Sequence, residues 1–275
     1  MFNLLRFAVV LIFSISFAYA SKIVSVGGSI TETIVALGHQ DDLIGVDLSS
    51  AYPKEVTQLP NIGYWLDLPQ EGILSLKPEV VITSEQAGPK KLIDSLPSYG
   101  IKTHIISDEA TLESAKNKIN QIAKILNEEK KAQEIIERMQ NNISKMQNEI
   151  KDKTKPKVLF LFSRGEGTTM AAGTNTKAGV MIDLAGGKNV VSSKQFSQIS
   201  KESVLQMNPD VVITSNHTGD IGIDKNVILA TNAGKNGQIY DIDMILISGF
   251  TVRTDVALQQ LSCMFFKNEL SYCSK

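Results

Sequence analysis

The sequence has little of what chemistry on a substrate needs. Its 275 residues include three histidines and two cysteines, too few for a disulfide scaffold and not spaced as a zinc site. The nucleophile motif G-x-S-x-G, the zinc motif H-E-x-x-H and the phosphate loop G-x-x-x-x-G-K-[ST] are all missing. Gly186-Gly187-Lys188 has only the tail of such a loop. There is no excess of basic charge. Lysine and arginine total 28 against 29 aspartates and glutamates, which argues against a nucleic-acid surface of the usual basic kind. Past the first twenty residues, no apolar run reaches the ~18 residues of a membrane helix. With 43% hydrophobic and 21% charged residues, the chain is expected to pack a core rather than stay disordered.

The N-terminus reads as an address. Arg6 precedes an apolar run from Phe7 to Phe17, and Ala18-Tyr19-Ala20 fits the small-x-small rule of a signal-peptidase site. Residues 1–20 are therefore expected to be a signal peptide cut after Ala20, and the mature chain to be exported to the periplasm. The run is short for an uncleaved anchor, and no cysteine near the cut offers a lipid attachment. Export places Cys263 and Cys273 in an oxidising compartment, where they can bridge a short loop and pin the tail; two free thiols are the alternative.

An internal repeat organises the rest. Residues 71–84 read EGILSLKPEVVITS and residues 202–215 read ESVLQMNPDVVITS. Without a gap, Glu71 meets Glu202, Pro78 meets Pro209, and both copies end in Val-Val-Ile-Thr-Ser. Each copy predicts a short helix stopped by proline and then a strand buried on both faces. Ile23 to Val26 and Lys157 to Phe162 predict the opening strand of each half, with helices at Thr31 to Leu37 and Thr176 to Leu184. Strands alternating with helices predict parallel α/β sheets. Between the halves, Leu112, Ala115, Ile119, Ile122 and Leu126 recur at helical spacing, and a second phase runs Ala132, Ile135, Met139, Ile143, Met146, Ile150. The second phase predicts one helix from Glu128 to about Asp152, about 35 Å long. The expected division is an N-terminal α/β lobe at 21–126, a connecting helix at 127–153 and a C-terminal α/β lobe at 154–275, with a ligand cleft between two Rossmann-like lobes.

Few residues stand out for chemistry. His39 follows a helix end at Gly38, His104 sits in an apolar run, and His217 lies in a loop past a strand. A transition-metal site made from these three is one reading of them, and a cap, a strand residue and a loop residue is the other. Gly27-Gly28-Ser29 predicts a strand-to-helix turn that aims backbone N–H groups at the cleft, which suits an anion. The loop Ala51 to Leu68 holds Tyr52, Tyr64 and the only tryptophan, Trp65. Such loops carry ligands in α/β folds, though Tyr64 and Trp65 also suit the cap of a core.

In order along the chain come Ile23 to Glu32, the loop Tyr52-Pro53 to Leu59-Pro60-Asn61-Ile62-Gly63-Tyr64, Glu71 to Pro78, Ser84 to Pro89, Met170-Ala171-Ala172-Gly173-Thr174 to Leu184-Ala185-Gly186-Gly187, and Gly249-Phe250-Thr251-Val252-Arg253-Thr254. In these stretches the sequence resembles the periplasmic substrate-binding proteins of ABC importers, in the class with two α/β lobes and one rigid connecting helix. Within that class it is similar to the haem-binding components of bacterial haem uptake systems. The resemblance implies a monomeric carrier that makes and breaks no bond. Haem is its transported ligand, and it hands that ligand to an inner-membrane permease with its ATPase.

Residue roles follow from the same resemblance. Tyr64 is implied as the axial ligand of the haem iron, since a phenolate is a hard anionic donor suited to ferric iron. A phenol of pKa ~10 needs a nearby cation to ionise, and Arg164 and Arg253 are implied either for that task or for the haem propionates. Trp65 and Met170 are implied as packing on the porphyrin or as lobe core. Glu71 and Glu202, at matching places in the repeat, are implied as the two permease contacts. Ser163-Arg164-Gly165-Glu166 lacks the histidine that some relatives supply, which points to five-coordinate haem or water as sixth ligand. One long connecting helix implies small lobe motions. The same fold binding a ferric siderophore or cobalamin is the nearest alternative; an exported α/β enzyme is a further one.

Overall fold

The computed structural model describes residues 21–163, 168–215, 223–267 and 269–273. The expected signal peptide, Arg164 and His217 lie outside the described residues.

The first half runs β1 (Ile23–Val26), α1 (Gly28–Ala36), β2 (Leu43–Val46), α2 (Gln70–Leu74), β3 (Val80–Ser84), α3 (Lys90–Ser95), β4 (Lys102–Ile106) and α4 (Leu112–Leu126). Its strands form one parallel sheet in the order β2-β1-β3-β4. β1 reads Ile-Val-Ser-Val and all four residues are buried, as a strand covered on both faces requires.

The second half runs β5 (Lys157–Ser163), β6 (Thr169–Ala171), α6 (Lys177–Leu184), β7 (Lys188–Asn189), β8 (Ser197–Gln198), α7 (Lys201–Met207), β9 (Val211–Ser215), α8 (Lys225–Leu229), α9 (Asn232–Lys235), β10 (Ile239–Asp241), α10 (Met244–Ser248) and α11 (Thr254–Phe265), after the linking helix α5 (Glu129–Ile150). Its parallel strands follow the order β10-β9-β5-β7, the same plan as the first sheet. It also carries β6 and β8, which pair antiparallel. The second sheet is therefore mixed, where the strand–helix alternation predicted parallel strands alone.

The repeat extends into the backbone. α2 and α7 lead to Lys77 and Asn208, which occupy equivalent positions, and both adopt a left-handed conformation, at φ 49° and 42°. That residue turns the chain ahead of Pro78 and Pro209, and β3 and β9 follow in matching places next to β1 and β5.

α5 joins the two cores. Ala132, Ile136 and Met139 pack into the first lobe, and Ile143, Met146 and Ile150 pack into the second. Ile136 is buried and Ile135 only flanks the core, so the stripe keeps strict four-three spacing. The helix is two residues shorter at its C-terminal end than expected, and its 22 residues span about 33 Å. Arg138 donates to the buried Asp255 at 2.8 Å and to the Val252 carbonyl at 2.7 Å, which fastens α5 to α11. Cys263 of α11 and Cys273 form a disulfide with Cα atoms 5.7 Å apart. It holds the tail where the Ser271 backbone N–H donates to Glu149 of α5 at 2.8 Å.

Candidate functional site

A cavity of about 500 Å³ lies between the lobes. Gly27, Ser29, Trp65 and Asp108 line it from the first lobe, and Lys177 and Phe196 from the second. Pockets of about 300–1,000 Å³ are the usual size for small organic ligands.

Tyr64 precedes the cavity-lining Trp65 on a tightly fastened loop and is not itself among the lining residues. The Val46 N–H donates to the Pro60 carbonyl and the Ile62 N–H donates back to Val46, so the loop runs along β2 like a further strand. The Leu48 N–H donates to the Gly63 carbonyl at 2.9 Å. Gly63 sits at φ 104°, and a Cβ there would meet the Pro69 ring at 2.7 Å, so this turn excludes other side chains. The Asp67 N–H closes the next turn onto the Tyr64 carbonyl at 2.8 Å, and the Gly88 N–H holds the Trp65 carbonyl at 2.9 Å. Trp65 lines the cavity and packs on the first-lobe core. Tyr64 meets its ring edge-on at 6.0 Å and is 48% exposed. Leu48, whose N–H binds Gly63, and Leu66, two residues on from Tyr64, are exposed as well. Such grouped apolar exposure marks a contact surface.

Two expectations meet a different geometry. The N–H groups of Gly27 and Gly28 do not await an anion. Gly27 donates to Asp47 Oδ1 at 2.7 Å, and Gly28 donates to Ser49 Oγ at 2.8 Å. Asp47 is 1% exposed and also accepts from Ser49 and Ser50, so this carboxylate already occupies the helix entrance. Arg253, in turn, is not a free cation facing the cleft. Its Nε and Nη2 donate to both oxygens of Glu32, at 2.9 and 2.5 Å, and its guanidinium lies 3.5 Å from the Tyr52 ring centroid. Burial opposes the Arg253 charge, but hydrogen bonds to Glu32 and the charge of Glu32 outweigh it and raise its pKa. Glu32 belongs to the first lobe and Arg253 to the second, so the pair clamps the lobes together.

The other singled-out residues are dispersed. Met170 lies in β6 between Phe162 and Gln198, and the cavity wall nearby is made by Gln195 and Phe196. Glu71 and Glu202 are exposed in the first turns of α2 and α7. Glu202 has its pKa lowered, chiefly by its own backbone N–H at that helix start and then by Ser200. His39 binds Asp42 at 2.6 Å, and His104 lies in β4. Among the described residues, no group of three metal-ligating side chains converges.

Sequence reasoning missed a buried charge cluster in the cleft floor. Lys118 of α4 is 1% exposed. Its ammonium donates to Asp108 and to Ser29 Oγ at 2.9 Å, and the Gly249 and Phe250 carbonyls of the second lobe lie at 3.3 Å. Burial lowers its pKa to about 8 despite Asp108. The other oxygen of Asp108 accepts from Lys177 of the second lobe at 2.5 Å. A lysine at position 118, on the apolar face between Ala115 and Ile119, was the available signal.

Two α/β lobes built on one repeated plan, a helix bridging their cores and a cavity between them define a ligand-binding protein of the clamshell type. The sequence profile described as periplasmic binding protein matches residues 23–246, and the chain belongs to that family. The chain is similar to the periplasmic heme-binding protein RhuT from Roseiflexus sp. RS-1 in its apo form. The two are 33% identical with a TM-score of 0.81, over 90% of this chain and 98% of that one. It is also similar to the periplasmic heme-binding protein HutB of Vibrio cholerae, with 32% identity and a TM-score of 0.79 over 90% and 99% of the chains. The vitamin B12-binding protein of Vibrio parahaemolyticus is 25% identical over 250 residues, 90% of each chain.

Proposed function

We propose that this protein is an exported haem carrier that holds ferric haem in the cleft and delivers it to an inner-membrane ABC permease with its ATPase. The observation that carries this reading is Tyr64. It is an exposed phenol on a loop fixed from both sides, and it touches the ring of Trp65, which lines the cavity. A porphyrin needs an apolar face to lie on and one donor for its iron, and this surface offers both. The likeness to two heme-binding proteins at 32–33% identity over nine-tenths of the chain supports it.

In this reading Tyr64 is the axial ligand and Trp65 packs against the macrocycle, with Phe196 facing it from the second lobe. Arg164 is the remaining arginine assigned to the phenolate or a propionate, while Arg253 holds the lobes. Glu71 and Glu202 meet the permease, one on each lobe. Residues 1–20 direct export and are removed after Ala20. The carrier works as a monomer and catalyses nothing.

Cobalamin is the competing cargo, favoured by the vitamin B12-binding relative. Trp65, the single tryptophan, reports on the cavity by its fluorescence. The test is a titration of the purified protein with ferric haem, cobalamin and a ferric siderophore. Saturable quenching by haem alone is expected. Saturation by cobalamin or the siderophore with no response to haem would refute the proposal.

A further inference from the structure

The cleft floor holds a lysine that neither the carrier reading nor the family likeness assigns. Lys177 is the first residue of α6, its side chain is 22% exposed, and it lines the cavity beside Asn175 and Thr176. Its present partner is Asp108, at 2.5 Å. Asp108 does not depend on it, because the buried ammonium of Lys118 binds its other oxygen. A carboxylate needs one compensating cation, and here it has two. Lys177 can therefore turn to an arriving anion without leaving Asp108 buried and uncompensated, a step that would otherwise carry a heavy desolvation cost. Its place in the first turn of a helix adds a favourable field for an anion. The competing negative charge is Glu109, which lines the same cavity but is exposed and screened by water.

We infer that Lys177 is a cargo-selecting residue that exchanges Asp108 for an ionised carboxylate of the ligand, so that the cleft prefers a macrocycle with free carboxylates over one with neutral side chains. The inference rests on the haem reading of the cleft. It gives a chemical reason for rejecting corrinoids, whose peripheral acids are amides. Lys118 is the reserve charge that makes the exchange possible.

The experiment compares ferric protoporphyrin IX with its dimethyl ester, which keeps the iron and the ring and removes both charges. Wild-type protein is expected to bind the diacid about tenfold or more tightly than the diester, as one charge-assisted contact allows. Lys177→Gln is expected to bring the two affinities to within about twofold to threefold by weakening the diacid alone, and Lys177→Arg to keep the preference. The diester thus serves as the folding control. An undiminished preference in Lys177→Gln overturns the assignment while leaving the haem reading intact. Equal loss of both ligands in that variant assigns Lys177 a structural role and overturns it too. Failure of wild-type protein to bind either porphyrin overturns the haem reading, and the assignment with it.

Discussion

Lys118 shows what a single buried charge does to this fold. Its pKa is near 8 in the folded state against 10.5 for a free lysine, with burial the main cause. Below pH 8 it is charged both folded and unfolded, and its burial cost is fully present. Between pH 8 and 10.5 the folded protein has released the proton and the unfolded chain has not, so unfolding takes up a proton and stability rises with pH. The gain should approach about 3 kcal/mol across that window. Denaturant unfolding of wild-type protein and Lys118→Met from pH 7 to 10.5 checks it. The stability difference should move in favour of wild type as pH rises, and a constant difference would count against the cluster. The sequence places Lys118 on the apolar face of α4. Its partners Ser29, Asp108 and the Gly249-Phe250 pair come from three separate stretches, and no spacing brings them together.

At the scale of elements, the contacts that matter join α1 and α5 to α11 and its N-cap, and α4 to the turn before it. Arg253 and Glu32 are 221 residues apart, and one carboxylate takes both guanidinium donors. Arg253→Ala would leave Glu32, 2% exposed, without its cation. A loss of about 3 kcal/mol is expected, measured by chemical unfolding, with retained haem affinity. A collapse of haem affinity at unchanged stability would return Arg253 to the ligand. The repeated helix–proline–strand units, β1, β5 and α5 were legible because each is long, periodic or duplicated. The two or three residues of β8 and β6 carry no alternation to read, and their antiparallel pairing depends on β5, which β6 joins, and on β6, which β8 joins. The pairing of Arg253 with Glu32 was not legible for a related reason. The motif of Arg253 gives the loop, but the buried Glu32 that claims it lies in a helix whose polar residues look unremarkable in isolation.

For the whole molecule, two lobes on one plan with a rigid helix between them suit a carrier that presents the same outline loaded or empty. Glu71 and Glu202 stand in equivalent first turns, one per lobe. Reversing both to lysine should leave haem affinity within about twofold and cut permease-dependent haem uptake about tenfold or more, because the charge of both proposed permease contacts would change sign. Unchanged uptake would remove them from that role. The central claim is the iron ligand. The most direct measurement is the absorption spectrum of the ferric haem complex of wild-type protein beside Tyr64→Ala. A phenolate-to-iron charge-transfer band in the wild type, lost in the variant along with tight binding, is the predicted result. The same band at the same affinity in Tyr64→Ala would contradict the account.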